Sequence, residues 1–249
     1  MTRCRGLQLA RIGVRMAFSD VLQLDMPDLF PLAEFESFWN SARQVLPHPT
    51  EERSEFNGAS NLIGWRFRNC IEYHEDFLRS WSEFGVGASF EQQYTRERAL
   101  FGMFLSGVSA IESICYACFA IGAELDGLRF PFDERSRKGV TPTGLRKHLE
   151  KARPSASLTT SLVQVLDSQE WELWNDYRNT MAHRSSVPRI IYAIGGPGTL
   201  PPAKILEYAR TWSTDALSGD ENTLFMLVSW LAEAAKTLLK AGEDLARGT

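Results

Sequence analysis

An arginine and a histidine five positions apart are the residues of this 249-residue chain best suited to proton-transfer chemistry. Residues 174–184 read WNDYRNTMAHR, with Arg178 before His183 and Asn179 directly after the arginine. An unperturbed imidazole titrates near pH 6.5, so it accepts or donates a proton at neutral pH, whereas a guanidinium keeps its charge. Metal-free cleavage of a phosphodiester needs proton transfer and a cation beside the phosphorane. The pair suits both tasks.

The residues around this pair add to the evidence from its spacing. It closes a Trp- and Tyr-rich amphipathic segment, and the order Arg-Asn, three residues, His and Arg resembles the signature of the HEPN superfamily. The resemblance implies an all-α domain, commonly a homodimer, whose catalytic members are metal-independent endoribonucleases acting on RNA. It assigns Arg178, Asn179 and His183 to the catalytic positions, with no cofactor. Other proteins of this fold are non-catalytic nucleotide-binding or protein-interaction modules, with an antitoxin or a nucleotidyltransferase as partner, so fold alone does not decide activity.

The helical spacing of the motif favours a site shared by two subunits. At about 100° per residue, Asn179 and His183 lie about 40° apart, whereas Arg178 lies about 140° from His183. A two-fold dimer would bring two arginines and two histidines to one cleft. In the alternative without catalysis, Arg178 pairs with Asp176 or Glu172 and His183 only caps the helix.

Glu112 lies beside an apolar stripe, where a carboxylate without a partner would be costly. One interpretation makes it a positioning residue that orients Arg178 or His183. The other makes it a boundary residue that reaches solvent.

Positive charge is concentrated in one stretch of an otherwise acidic chain of net charge -4. Between positions 129 and 153, eight basic residues stand against three acidic ones, a local charge of +5. We predict that this excursion binds the RNA backbone through Arg135, Arg137 and Lys138, helped by Arg184 and Arg189 beside the motif. The alternative is a solvated loop.

Apolar periodicity predicts an all-α, HEPN-like bundle of about five main helices. The predicted helical ranges are 27–46, 63–84, 91–121, 159–166 continuing into 167–185, and 220–239. At most one short helix, at 145–151, is expected in the basic excursion, and 189–194 reads as a short β-arm. We predict a single domain over 27–249 behind an N-terminal arm, 1–26, that is poorly ordered at its start.

Composition excludes several classes of protein. The negative net charge argues against a non-specific duplex-DNA binder. The longest apolar candidate, 224–235, contains polar residues, so no membrane span is expected. Four cysteines are too few for a disulfide-built domain and indicate a reducing, cytoplasmic location. A zinc site from Cys70, His74, Cys115 and Cys118 is disfavoured because all four lie on apolar helical stripes.

Three questions stay open at this point. Arg-rich residues 1–15 fit a transit peptide, but Met16 is equally a candidate start. The sequence does not name the RNA. It also does not choose among roles in a toxin–antitoxin pair, in defence or in RNA processing.

Overall fold

The structure, a computed structural model, describes residues 15–84, 89–152, 156–183, 212–213, 218–219 and 221–248. Eight helices within these residues make the protein mostly helical, which confirms the all-α prediction. They are α1 (Leu32–Val45), α2 (Glu51–Phe84), α3 (Phe90–Leu125), α4 (Glu134–Lys138), α5 (Pro142–Ala152), α6 (Ser157–Leu166), α7 (Gln169–His183) and α8 (Glu221–Arg247). Two short strand pairs, β1 (Met16–Ser19) with β2 (Leu24–Pro27) and β3 (Trp212–Ser213) with β4 (Ser218–Gly219), are antiparallel.

The long helices α2 and α3 form the spine of the fold, as predicted. Their contacts pair residues in opposite order along the two helices: Ser80 with Arg96, and Arg66 with Ser109 and Ser113. The stripe of α2 that the periodicity identified is buried at Ile63, Phe67, Cys70, His74 and Phe77. Such a stripe forms one helical face because its gaps alternate between three and four residues.

Helix α3 lies at the centre of the molecule, because α1, α2, α5, α7 and α8 all pack against it. Its length and apolar composition would suffice to cross a membrane, yet 72% of its most apolar window is buried inside the protein. The other helices thus give it the surroundings of a core helix. By length and composition it is also a better candidate for a membrane span than residues 224–235, the apolar stretch considered in the sequence analysis.

The end of the predicted N-terminal arm is an ordered hairpin. Strands β1 and β2 pair Met16 with Pro27 and Ser19 with Leu24, and Met26 is fully buried. Leu22, in the turn, packs so closely on α2 that a Cβ added to Gly64 would lie 2.4 Å from its side chain. Four-residue strands are too short for alternation to reveal them, which is why the sequence predicted no structure here.

The basic excursion holds two helices, so the expectation of at most one is wrong. Asp133 caps α4 by accepting a hydrogen bond from the Ser136 amide, and Thr141 accepts one from the Gly144 amide at the start of α5. Pro142 reads as a helix breaker in the sequence but stands at the first position of α5, where proline is tolerated. The predicted β-arm at 189–194 lies outside the described residues.

Candidate functional site

Helix α7, which carries the Arg178–His183 motif, is fixed by two aromatic residues that point into the core. Trp174 and Tyr177 are fully buried, and both rings pack on Phe104 of α3, with centroids 5.1 and 4.6 Å away. The indole nitrogen of Trp174 donates to the Leu227 carbonyl of α8 at 3.2 Å. The helix begins as predicted, since the Ser168 hydroxyl accepts from the Trp171 amide. These contacts hold the motif against α3 and α8.

Arg178 is half-buried and is held by a residue that sequence reasoning missed. Its Nη2 donates to Oδ1 of Asn175 at 3.2 Å, and the Asn175 amide nitrogen donates to the Trp171 carbonyl at 2.9 Å. Its Nε is buried and has no hydrogen-bond partner in the described part of the chain. A buried donor without a partner is costly, but Nε is closed to solvent, so an external anion would have to bind the part of the guanidinium that remains exposed. The sequence contained a signal for this contact, because residues three apart, such as Asn175 and Arg178, are neighbours on a helix.

The acidic residues proposed as partners of Arg178 do not hold it. Among the described residues, neither Asp176 nor Glu172 forms an ion pair with Arg178, and both are exposed. The alternative in which an acid neutralises Arg178 therefore fails, and a neutral amide takes that place. The guanidinium charge is left uncompensated by these neighbours.

The other motif residues lie on the last turns of α7 or beyond it. Asn179 is exposed, and His183 is the last residue of the helix, as its backbone shows. The side chain of His183 lies outside what the structure describes, as do Arg184 and Arg189. The backbone therefore carries Arg178 and His183 on one continuous helix, five residues apart.

Glu112 is partly exposed on α3, and within the described residues it forms no hydrogen bond or ion pair with Arg178. The structure thus does not join these two side chains directly. Its partial exposure is what the boundary interpretation expects.

The three basic residues predicted to contact RNA from the excursion have different surroundings. Arg137 forms ion pairs with Glu51 and, at 3.2 Å, with Glu55 of α2, and its guanidinium lies over the Phe132 ring. Lys138 is exposed and pairs with Glu134 one turn away. Arg135 is exposed and has no ion pair among the described residues. Of the three cations, Arg135 is therefore the one that is free to bind an external anion.

The network around Arg137 anchors the excursion to the spine. The Tyr116 hydroxyl of α3 donates to Glu55 at 3.0 Å, so one carboxylate joins α2, α3 and α4. Burial, followed by this hydrogen bond to Glu55, raises the pKa of Tyr116 to about 12. The phenol therefore stays protonated at neutral pH and remains a donor.

The cysteines and His74 behave as core residues, as predicted. Cys70, Cys115 and Cys118 are buried free thiols, and burial raises the pKa of each of them. Burial also lowers the pKa of His74 to about 4. Within the described ranges, no three His, Cys, Asp or Glu side chains are grouped so that they could hold a metal ion.

Comparisons with protein-family models, with curated proteins and with solved structures found no match to this chain. The resemblance to the HEPN superfamily therefore rests on the Arg178–His183 motif and its helical setting.

Proposed function

We propose that the protein is a metal-independent endoribonuclease and that the C-terminal turns of α7 carry its active site. The observation that carries this proposal is Arg178, a half-buried cation that is held by a neutral amide and forms no ion pair among the described residues. A guanidinium in that state is oriented but not neutralised, which is what recognition of a phosphate oxygen needs.

In this mechanism the 2′-hydroxyl of RNA attacks the adjacent phosphorus. An imidazole of His183 takes the 2′-hydroxyl proton, and an imidazolium returns a proton to the departing 5′-oxygen. Arg178 stabilises the negative charge that builds on the non-bridging oxygens. The P–O2′ bond forms, the P–O5′ bond breaks, and the products are a 2′,3′-cyclic phosphate and a 5′-hydroxyl.

The proposal includes a homodimer, because one copy of α7 is poorly arranged to supply every group. Helical spacing separates the Arg178 and His183 positions by about 140°, so a second α7 is needed to bring a guanidinium to the imidazole. In such a dimer each imidazole acts with the guanidinium of the other copy, so one histidine takes and then returns the proton at each of two equivalent sites. Asn179, exposed on the same turns, is assigned by the resemblance to the catalytic positions.

Incubation of total RNA with purified protein in EDTA tests the activity. We expect wild-type protein to cut RNA and to leave 2′,3′-cyclic phosphate and 5′-hydroxyl ends, identified by end-group analysis. His183→Ala and Arg178→Ala are expected to lower the rate by at least about a hundredfold. Cleavage that requires added Mg²⁺, or that persists in His183→Ala, would contradict the mechanism.

A non-catalytic protein-interaction module is the second candidate, and one feature of α3 favours it. Four large apolar side chains on one side of this helix are exposed: Phe90, Tyr94, Phe101 and Leu105. Exposed apolar side chains that share one side of a helix are typical of interaction sites. On this alternative the stripe binds a partner protein, and RNA stays intact with wild type and with both variants.

A further inference from the structure

A cavity of about 270 Å³ lies between the C-terminal half of α3 and the two short helices of the excursion. We call it the α4–α5 pocket. Phe119, Val140 and Leu145 supply its apolar lining, and Arg135, Ser136 and His148 supply polar groups. An apolar lining with a few convergent polar groups is typical of small-molecule sites.

The imidazole of His148 gives the pocket a rigid, flat wall. Its Nε2 donates to the Arg129 carbonyl, and its ring packs on Phe130, with centroids 4.9 Å apart, and on Phe119 at 6.2 Å. A carbonyl only accepts hydrogen bonds, so Nε2 is the donor in this contact. The imidazole plane is tilted by 45° to Phe130 and by 80° to Phe119, so the imidazole alone supplies the flat face on which a nucleobase can stack.

Arg135 supplies the charge of the pocket. Three other basic residues of the excursion are bound to carboxylates: Arg137 to Glu51 and Glu55, Lys138 to Glu134, and Arg146 to Glu150 and Asp167. Lys147 and Lys151 have no ion pair in the described chain, but they do not line the cavity. Arg135 has no such partner in the described chain, and its side chain is exposed at the lining of the cavity. An anionic group beside the flat wall would therefore find an available guanidinium.

We propose that the α4–α5 pocket holds one unstacked nucleotide of single-stranded RNA, with the base against His148 and a phosphate at Arg135. Its volume lies just below the usual range of about 300–1,000 Å³ for ligand pockets, which suits one ring system. A base inside a duplex is stacked and paired and cannot enter, so the pocket selects single strands. The identity of the polymer as RNA rests on the proposed function, whereas the pocket is a separate site.

The distance between the two sites follows from α3. Phe119 at the pocket stands fifteen residues after Phe104, which packs on α7, and this separation is about 22 Å along the helix. A nucleotide held in the pocket would thus anchor the strand several nucleotides away from the Arg178 site. The pocket would raise the affinity for the substrate and select single strands, whereas cleavage would take place at the Arg178 site.

Binding of a fluorescein-labelled 2′-O-methyl decanucleotide to wild-type protein tests the pocket, because this probe lacks the hydroxyl that cleavage needs. Fluorescence anisotropy at several salt concentrations gives the dissociation constant of the single strand and of the same sequence in a duplex. We expect the single strand to bind at least about tenfold more tightly. Arg135→Gln is expected to weaken its binding about fivefold and to lower the salt slope by about one.

Two further variants separate shape from charge. Val140→Trp fills the cavity and should weaken binding without changing the salt slope. Gly139→Leu is a second filling variant, because an added Cβ there would meet only ordinary contacts of 3.5 Å or more. Lys151→Gln is the matched control, since it removes an exposed cation of α5 that has no ion pair in the described chain and does not line the pocket, and it should change affinity less than twofold.

Three results would contradict the proposed nucleotide pocket: equal affinity for duplex and single strand, wild-type affinity in both filling variants with unchanged helical circular dichroism, or equal effects of Arg135→Gln and Lys151→Gln. A protein that binds the probe as expected but leaves unmodified RNA intact would refute the proposed cleavage and leave the pocket standing. The two failures are therefore distinguishable.

Discussion

At the scale of single residues, the neutral side chain of Asn175 determines how Arg178 is presented. An acid at this position would pair with the guanidinium and compete with a phosphate for it. An amide oxygen orients the same group while leaving its charge available. The second hydrogen bond, from Asn175 to the Trp171 carbonyl, fixes the amide itself.

Asn175→Ala is predicted to lower RNA cleavage about tenfold while changing the free energy of unfolding by only about 1 kcal/mol. Arg178 would lose its orienting contact, whereas the buried rings that hold α7 would stay in place. Asp176→Asn is the matched control, because Asp176 is the exposed neighbour and has no ion pair with Arg178. Initial rates on a defined RNA and urea denaturation provide the two measurements. Wild-type cleavage by Asn175→Ala would remove Asn175 from the site.

His74 makes the stability of the fold depend on pH. Burial lowers its pKa from 6.5 to about 4, so the folded protein keeps it neutral while the unfolded chain protonates it. Above pH 6.5 the residue is neutral in both states and has no effect on stability. As pH falls from 6.5 toward 4, only the unfolded chain gains the proton, so the free energy of unfolding decreases by about 3 kcal/mol.

This effect is measured by urea denaturation at pH 7 and pH 4.5 in wild type and in His74→Leu. Other groups titrate in both proteins, so the difference between the two pH dependences isolates His74. We expect the variant to lose less stability than wild type at the lower pH. His48→Leu, which removes an exposed histidine, should behave like wild type; identical pH dependence in all three proteins would show that His74 does not titrate as described.

At the scale of secondary-structure elements, the contact between α3 and α7 depends on a residue without a side chain. A Cβ on Gly107 would lie 2.4 Å from the Trp174 ring, so the indole occupies the space of the missing group. Gly107→Ala is predicted to destabilise the protein by about 1–3 kcal/mol and to displace α7. Chemical denaturation measures the stability, and the cleavage assay detects the displacement.

Gly58→Ala is the matched control for this substitution. Gly58 also lies within a helix, α2, but nothing stands within 4 Å of an added Cβ. Alanine there should stabilise the helix by about 0.5–1 kcal/mol, since glycine is the poorer helix former. If both substitutions had the same effect, packing against Trp174 would not be the reason for the glycine.

The sequence predicted the long elements well and the short ones poorly, for a physical reason. Helices α2 and α3 repeat their apolar pattern over many turns, so periodicity identifies them before any packing is known. The hairpin and α4 have four or five residues per element and are stabilised by contacts with distant parts of the chain, such as Leu22 on Gly64 and Arg137 on Glu51. At the site, spacing identified Arg178 but not the neutrality of its partner, because only the structure shows which neighbour accepts its hydrogen bond.

At the scale of the whole molecule, the proposed site and the exposed stripe of α3 raise the same question of what a second chain contributes. Phe90 is 89% exposed and Tyr94 60% exposed, which is unusual for rings of this size. A second copy of the chain would cover such a surface and could supply the groups that one α7 lacks. The origin of those groups is open to a direct kinetic test.

Mixing two inactive variants distinguishes a site shared between subunits from one within a subunit. Arg178→Ala and His183→Ala proteins are unfolded together, refolded as an equal mixture and assayed in EDTA. Half of the dimers are then mixed. If the arginine of one copy acts with the histidine of the other, one of the two sites in each mixed dimer is intact, so the mixture should recover about a quarter of the wild-type rate. If both groups act within one subunit, every site lacks one of them and no activity returns.

Each variant refolded alone is the control. A mixture no more active than these controls would contradict the shared site while leaving cleavage by the wild type unaffected.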